Sequence, residues 1–323
     1  MRKLKVLHLS DTQLSGSPIR ISKLINKYSG KFESRHITWV SKYGCRLFEC
    51  DLVGSHMEIV ELEQMVLDWA DIIHYHNRWS RQRIFTNFGM KPPKIPSVIQ
   101  IHSPRDGNES FKAEAESGLP LAVIAQYHVR QWPELSFVVP NVVDILDPVY
   151  EAPPLTPHQV PTVSFAPSNT NARGWDDKGY GVVAPVLKRM KIAGTINFQL
   201  ITSQPHDITM QKKRLAHIGI DEIVTGSYHL SSLEYLSLGI GTFANIDKAT
   251  EKVLKDLTGA EKLPWLPASE SRFESRLKHI LKTGEWVEAG HFARQWMERH
   301  WNPRILLGHY ERMYEKLVED FRP

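Results

Sequence analysis

Short apolar runs alternate with longer amphipathic stretches along this chain of 323 residues. In the first half the runs predict strands at Lys5–Leu9, His36–Val40, Ile72–His76, Ser97–His102, Ala122–Ala125 and Phe137–Val139. Several of these runs are almost continuously apolar, which is typical of parallel strands buried on both faces. A helix over Ile19–Tyr28 follows the first strand. The alternation predicts an α/β fold built on a parallel sheet.

The same alternation starts again in the second half of the chain, after a Pro-rich stretch. Its predicted elements are strand Thr162–Ala166, a helix through Val183, Val186, Leu187 and Met190, strand Asn197–Thr202, helix Met210–Ile218, strand Glu222–Thr225, helix Ser231–Leu238 and strand Gly241–Asn245. The last helix has Asn302 as its N-cap and Pro303 at its first position. We therefore predict a doubled Rossmann-like unit.

Proline marks the boundary between the two halves. Residues 148–161 contain Pro148, Pro153, Pro154, Pro157 and Pro161, which cannot lie inside a helix or a central strand. We predict a first domain over 1–147, a linker over 148–161, a second domain over 162–300 and a C-terminal helix over 301–323 that packs on the first domain.

Composition adds limited information about function. The net charge of +4 suits a ligand that carries phosphates, but it also suits nucleic acid or an anionic membrane. No apolar run is long enough for a membrane-spanning helix. With only Cys45 and Cys50, we expect reduced cysteines and a cytoplasmic chain.

Two polar positions in the first half come where strands end. Asp11 and the turn through Gly16 follow the first strand, and His102 ends a later one. Doubly wound sheets bind ligands at this edge, and the amides of a helix start favour an anion. The alternatives are an ordinary turn and a structural histidine.

Two segments of the second half could bind a diphosphate. Arg173 and Lys178 share one polar loop after the strand that opens this half. Cations in such a loop can stabilise the charge that develops on a phosphate leaving group, although a solvated basic loop is the alternative. Ser231 and Ser232 lie at a helix start, with Glu234 just inside the helix.

Several segments resemble one enzyme family in the order in which they occur. Val139-Pro140-Asn141-Val142-Val143-Asp144 resembles the "PNGVD" of the retaining GT-B glycosyltransferases of the GT4 type (glycosyl transferases group 1), with Val142 in place of glycine. The spacing of Arg173 and Lys178-Gly179 is similar to the family's phosphate loop, and Ser232-Leu233-Glu234 to its "SLEAMACG". One departure is Gly226, where many members carry a glutamate that contacts the donor sugar.

The resemblance implies a GT-B fold, with two facing Rossmann-like domains and a final helix that crosses back to the first. It implies transfer of a sugar from a nucleotide sugar, with a UDP-sugar as the expected donor, to a hydroxyl acceptor. Transfer is expected to retain configuration and to need no metal or other cofactor. The implied catalytic residues are Arg173, Lys178, His102 and Asp11, and the implied donor-binding residues are Gly16, Ser168, Asn169, Gly226, His229, Ser231, Ser232 and Glu234.

The acceptor stays open between classes. We expect a glycan or small molecule near Asp11, His76 and Asn77, and the alternative is a hydroxymethylated pyrimidine in DNA, as in phage enzymes of this fold. The stretch from Asn77 to Arg83 interleaves basic and aromatic residues and allows the second reading. A non-catalytic nucleotide-sugar binder is a further alternative, whereas a nicotinamide-dependent oxidoreductase would need a complete glycine fingerprint. His74 and His76 have no companion ligand at metal-binding spacing, so no metal site is predicted.

Overall fold

The computed structural model describes residues 2–40, 47–77, 92–102, 114, 116–126, 128–132, 135–153, 160–168, 170 and 178–322. They form two compact units, Met1–Val142 with Pro303–Pro323, and Val143–Asn302. The stretch predicted as a linker is thus counted with the second unit. None of the helices within these ranges is long and apolar enough to cross a bilayer.

The first unit contains a parallel sheet of seven strands in the order β3-β2-β1-β4-β5-β6-β7. The strands are β1 (Leu4–Ser10), β2 (Phe32–Thr38), β3 (Leu52–Val53), β4 (Ile72–His76), β5 (Ser97–Ile101), β6 (Leu121–Ile124) and β7 (Phe137–Val139). The helices are α1 (Ser17–Tyr28), α2 (Ile59–Glu63) and α3 (His128–Gln131), and a π-helical stretch, Gln64–Trp69, follows α2. The strand order reverses between β1 and β4, which makes their carboxyl ends the topological switch point of this sheet.

The two faces of this sheet differ in chemistry. One face presents Leu7, Leu9, Ile73, Tyr75 and Ile99 to an apolar core. The alternate positions on the other face are largely polar, although they are just as deeply buried: His8, Ser10, Ser34, His36, Thr38, His74, His76 and Gln100. Successive side chains of a strand point to opposite faces of the sheet, so β1 and β4 place Leu7, Leu9, Ile73 and Tyr75 on one face and their histidines on the other.

The C-terminal helix α10 (Pro303–Asp320) belongs to the first unit. The Tyr310 hydroxyl donates to the carbonyl oxygen of Pro140 at 2.7 Å, and Ser29 Oγ donates to Glu311 at 2.6 Å. Tyr314 lies 2.9 Å from His74 Nδ1 through its hydroxyl, against the polar face of the sheet. The apolar face of this amphipathic helix is therefore buried against the rest of the first unit.

The second unit contains a parallel four-stranded sheet in the order β11-β10-β8-β9. Its strands are β8 (Thr162–Phe165), β9 (Asn197–Leu200), β10 (Ile218–Glu222) and β11 (Gly241–Ala244). Its helices are α4 (Tyr180–Ile192), α5 (His206–Lys213), α6 (Leu230–Ser237), α7 (Lys248–Thr258), α8 (Phe273–Thr283) and α9 (Glu285–His300). The switch point of this sheet lies between β8 and β10.

Three predicted elements differ from the structure. The second strand is Phe32–Thr38 rather than His36–Val40. The predicted helix Met210–Ile218 ends at Lys213, and the predicted strand Glu222–Thr225 is Ile218–Glu222. The strand begins four residues earlier than predicted and ends on Asp221 and Glu222, whose buried carboxylates have partners, whereas the prediction placed Ile218 in the preceding helix.

The expectation of reduced cysteines also differs from the structure, in which Cys50 is disulfide-bonded. A count of two cysteines argues against a framework of several bridges. It does not decide on a single bridge within one loop, which depends on whether the backbone brings the two sulfurs together.

Candidate functional site

The loop after β8 leads into the switch point of the second unit. Ser168 is exposed in this loop, whereas the predicted site residues Asn169 and Arg173 lie outside the described residues. Lys178 ends the loop in a left-handed conformation (φ 56°), and Gly179 (φ 85°) caps α4. A Cβ atom on Gly179 would lie 2.6 Å from Ile223 Cγ1, so glycine allows this close packing.

Lys178 forms a buried ion pair with Asp221 at the end of β10. Its Nζ lies 2.8 Å from Asp221 Oδ1, and the side chains are 4% and 0% exposed. The backbone N–H of His229 donates to Asp221 Oδ2 at 2.5 Å. Burial by itself raises the pKa of Asp221, but Lys178 and His229 more than offset this and hold it well below the usual value. The ammonium of Lys178 is therefore fixed in place at the switch point.

Glu234 on α6 is the centre of a second buried group of charges. Lys213 Nζ lies 2.6 Å from Glu234 Oε2, and His206 Nε2 lies 2.8 Å from Oε1. Lys213 also donates to the carbonyl oxygen and the hydroxyl of Ser231, at 3.1 and 2.8 Å. Burial lowers the pKa of Lys213, while Glu234 acts in the opposite direction. The carboxylate predicted to hold ribose is thus rigidly oriented.

The two serines at the start of α6 are both engaged within the protein. Ser231 Oγ accepts from Lys213, and Ser232 Oγ donates to the carbonyl oxygen of His229 at 2.9 Å. His229 is the N-cap residue of α6 and is half-buried. Their hydroxyls therefore order the helix start, whose backbone amides point in the direction that favours an anion.

Gly226 lies in a loop whose backbone is held by hydrogen bonds to the buried Glu222 carboxylate. Glu222 accepts hydrogen bonds from the amide and the hydroxyl of Thr225, at 2.6 and 2.7 Å, and from the amide of Ser227 at 2.9 Å. Gly226 itself has φ 76°, and a Cβ atom there would lie 2.7 Å from Asp247 Oδ2. The loop conformation therefore excludes a glutamate at position 226.

In the first unit, the turn after β1 has an unusual backbone. Leu14, Ser15 and Gly16 all have positive φ, at 44°, 56° and 77°. The turn is closed by its own backbone, since the amide of Gly16 donates to the carbonyl oxygen of Gln13 at 2.7 Å. Asp11 immediately follows β1 at the same edge of the sheet.

His102, His76 and Asn77 lie together at the carboxyl edge of β4 and β5. His76 Nδ1 and His102 Nε2 are 2.8 Å apart, and Asn77 Oδ1 accepts from the backbone amide of His102 at 2.8 Å. Asn77 has φ 58°, an uncommon conformation outside glycine that turns its side chain toward His102. Burial lowers the pKa of both histidines. The structure thus joins three predicted residues, two neutral imidazoles and one amide, in one hydrogen-bonded group.

Several polar residues of the second unit have no place in the sequence-based prediction. They are the buried Lys213, Asp221 and Glu222 and the half-buried His206. The usable signal was the pair Asp221-Glu222 inside an apolar run, since adjacent acids in a buried strand need specific partners.

His74 and His76 do have a companion, so the expectation that they stand alone is wrong. His8 on β1 lies beside both, with His8 Nδ1 2.9 Å from His76 Nε2. The companion lies far away in sequence because it comes from the neighbouring strand, where His8 and His74 are register partners.

No family model and no curated protein sequence matches this chain. Solved structures of glycosyltransferases match it over nearly its full length. One is a glycosyltransferase from Rickettsia africae, at 14% identity and a TM-score of 0.65, covering 99% of this chain and 100% of that one. Another is an alpha-glucosyltransferase in complex with UDP and a 13-mer DNA containing a HMU base, at 10% identity and a TM-score of 0.68, covering 98% and 100%.

HepE of Anabaena in complex with UDP-glucose is a further match, at 12% identity and a TM-score of 0.64, covering 97% of this chain and 100% of that one. Identities this low establish the fold. The chain has the GT-B fold of the glycosyltransferases, built from two Rossmann-like units.

Proposed function

We propose that this protein is a glycosyltransferase that moves a sugar from a UDP-sugar to a hydroxyl acceptor. The observation that carries the proposal is Glu234. Its carboxylate is 6% exposed, is anchored by Lys213 and His206, and lies on α6 next to the switch point of the second sheet. A carboxylate held in this way can accept hydrogen bonds from the ribose hydroxyls of a nucleotide. One of the matching structures contains UDP and another contains UDP-glucose.

The cations of the second unit supply the electrostatics of leaving-group departure. Lys178 is held by Asp221 at 2.8 Å, so no reorganisation is needed when charge develops on the diphosphate. Arg173 is assigned the same task from the sequence. Ser168, Asn169 and the amides of the loop from Gly226 to His229 are assigned to the donor, with no metal in the transfer step.

The first unit supplies neutral and anion-binding groups. His102 carries a lowered pKa, so it acts as an uncharged hydrogen-bond partner for a sugar or acceptor hydroxyl. The left-handed turn ending at Gly16 is assigned to phosphate, and Asp11 to the acceptor hydroxyl. Retention of configuration, as in the GT4-type enzymes, is part of the proposal.

Titration with UDP and with 2′-deoxy-UDP tests the role of Glu234. A lost hydrogen bond to a charged group is worth about 1.5–3 kcal/mol, so the wild type should prefer UDP by about 10- to 100-fold in Kd. Glu234→Gln should lose most of that preference, whereas the exposed control Glu251→Gln should keep it. Calorimetry measures both ligands on each variant.

The preference is a ratio within one variant, so a general loss of stability does not imitate the expected result. Failure of the wild type to bind UDP, or equal discrimination by wild type and Glu234→Gln, would contradict the assignment. Release of UDP from UDP-sugars with no acceptor present separates an enzyme from a binder that performs no transfer.

A hydroxymethylated pyrimidine in DNA is the second candidate acceptor. Two observations favour it: the likeness at a TM-score of 0.68 to a structure with bound DNA, and the arginines at 78, 81 and 83, which follow β4 in the sequence. Glucose from UDP-glucose should appear on an oligonucleotide with 5-hydroxymethyluracil and not on its thymine counterpart. Binding should weaken steeply between 50 and 200 mM salt. Equal labelling of both oligonucleotides, or of neither, would exclude this acceptor.

A further inference from the structure

Three histidines form a compact buried cluster in the first unit. His8 on β1 and His74 and His76 on β4 each offer a ring nitrogen, and these nitrogens all lie within 4.8 Å of one another. The ring centroids of His74 and His76 are 4.3 Å apart, and those of His8 and His74 are 4.8 Å apart. All three side chains are 0% exposed.

The hydrogen bonds of the cluster leave two ring nitrogens over. His76 lies between His8 and His102, at 2.9 and 2.8 Å, and His74 Nδ1 lies 2.9 Å from the Tyr314 hydroxyl. Within the residues that the structure describes, Nε2 of His8 and Nε2 of His74 meet the geometric criteria of a hydrogen bond with no partner, although the Gln100 side chain lies near enough to His74 to raise its pKa against the effect of burial. Buried polar atoms are nearly always paired, so each of these nitrogens requires an explanation.

One tautomer assignment leaves a lone pair on each of the three rings. If His76 Nδ1 donates to His102, His74 Nδ1 donates to Tyr314 and the proton of His8 is on Nε2, then His76 Nε2, His74 Nε2 and His8 Nδ1 carry lone pairs. In that arrangement the contact of 2.9 Å between His8 Nδ1 and His76 Nε2 joins two lone pairs, and a cation takes the place of the proton between them. A neutral imidazole whose other N–H is held by a partner is the usual form of a metal-binding histidine.

We propose that His8, His74 and His76 bind one divalent transition-metal ion of the Zn²⁺ class, with Tyr314 and His102 orienting the rings of His74 and His76. Imidazole suits zinc, copper and nickel rather than magnesium or calcium. Zinc–nitrogen bonds of about 2.0–2.1 Å place ligand nitrogens about 3.3 Å apart, which small ring rotations can reach from the present spacing. Three protein ligands leave the fourth position for a solvent molecule.

The proposed metal links β1 to β4 at the switch point of the sheet, so its expected role is to stabilise the packing of these two strands. The ligands are strand residues of β1 and β4, and His76 among them lies at the carboxyl edge beside His102. Metal content is therefore measured separately from transferase activity. A transferase without this metal, or a metal protein without transferase activity, would each be a distinct result.

Metal analysis of the full-length, tag-free protein tests the site. After removal of metal with a chelator and dialysis against Zn²⁺, we expect one zinc per chain by mass spectrometry and a higher Tm than in the apoprotein. His8→Gln and His74→Gln should each lose that zinc. The control is His36→Gln, which alters an equally buried histidine on the same sheet face that is not a proposed ligand and should keep it.

Cobalt substitution keeps the proposal testable if the ligand variants do not fold. The wild type loaded with Co²⁺ should show the intense visible bands of a four-coordinate site. A wild type that retains no stoichiometric zinc or cobalt would overturn the proposal. So would a metal that leaves Tm unchanged, a six-coordinate cobalt spectrum, or equal zinc loss in His74→Gln and His36→Gln.

Discussion

Gly226 shows how one residue determines what a binding loop can present. Its positive φ and the approach of Asp247 leave no room for a side chain, while Glu222 holds the neighbouring amides from below. Asp247 also caps α7 by accepting from the amide of Thr250 at 2.8 Å. The loop therefore has no carboxylate at the position where the resembled family carries one, and its Ser227 amide already donates to Glu222.

Gly226→Ala should destabilise the protein more than Gly259→Ala. Both glycines have similar positive φ, at 76° and 67°, but only Gly226 has an atom within 4 Å of the added Cβ. The strained backbone costs about 1–3 kcal/mol at either site, and the contact with Asp247 adds to it at Gly226. Urea denaturation measures both variants, and equal losses would show that Asp247 moves away freely.

At the scale of elements, the Lys178–Asp221 pair connects the loop before α4 to the end of β10. Removing one partner of a buried pair leaves an uncompensated charge, which costs about 3–5 kcal/mol. Lys178→Met and Asp221→Asn should each lose stability in this range, and the double variant should lose clearly less than their sum. Chemical denaturation of the four proteins gives the coupling, and strict additivity would contradict a pair formed in solution.

The same pair makes a prediction about pH. The folded pKa of Asp221 lies below its ordinary value of about 4, so the carboxylate contributes stability above that pH and loses it as the pH falls further. The gap in unfolding free energy between wild type and Asp221→Asn should therefore be constant from pH 7 to pH 5 and shrink below pH 4. A gap that stays constant to pH 3 would contradict the lowered pKa.

Helix α10 illustrates how an element distant in sequence completes a unit. Tyr310 and Tyr314 reach Pro140 and His74 from the C-terminal end of the chain. The Tyr310 hydroxyl pairs with the buried carbonyl oxygen of Pro140, and the Tyr314 hydroxyl pairs with the buried His74 imidazole. Neither polar group is therefore buried against apolar side chains alone. The amphipathic stripe of this helix is visible in the sequence, but its polar partners are not.

At the scale of the whole molecule, the two units should respond to different ligands. UDP should slow amide exchange in residues 225–232 of the second unit and leave β1 and β4 unchanged. Chelation of the proposed metal should speed exchange in β1 and β4 and leave residues 225–232 unchanged. Hydrogen–deuterium exchange with mass spectrometry measures both, and protection by UDP confined to the first unit would contradict the donor assignment.

Much of the fold follows from local patterns in the sequence. The apolar runs of β1, β4 and β8 and the start of α10 at Pro303 lie where the sequence predicts them. The order of motifs indicates the GT-B fold, which the matching structures confirm. These features depend on neighbouring residues, whose hydrophobicity and backbone preferences act over a few positions.

The partners of buried charges and imidazoles were decided only by the tertiary structure. Lys178 with Asp221, Lys213 with Glu234, and His8 with His76 are each far apart in sequence. The two residues of each pair meet because the order of the strands places their elements side by side. No local sequence pattern encodes that order. The sequence alone thus determined the two Rossmann-like units, and it predicted ligands at the carboxyl edges of their sheets. The long-range packing decided which polar side chains are neutralised, which are oriented and which remain available for a ligand, because burial makes each charge depend on its spatial neighbours.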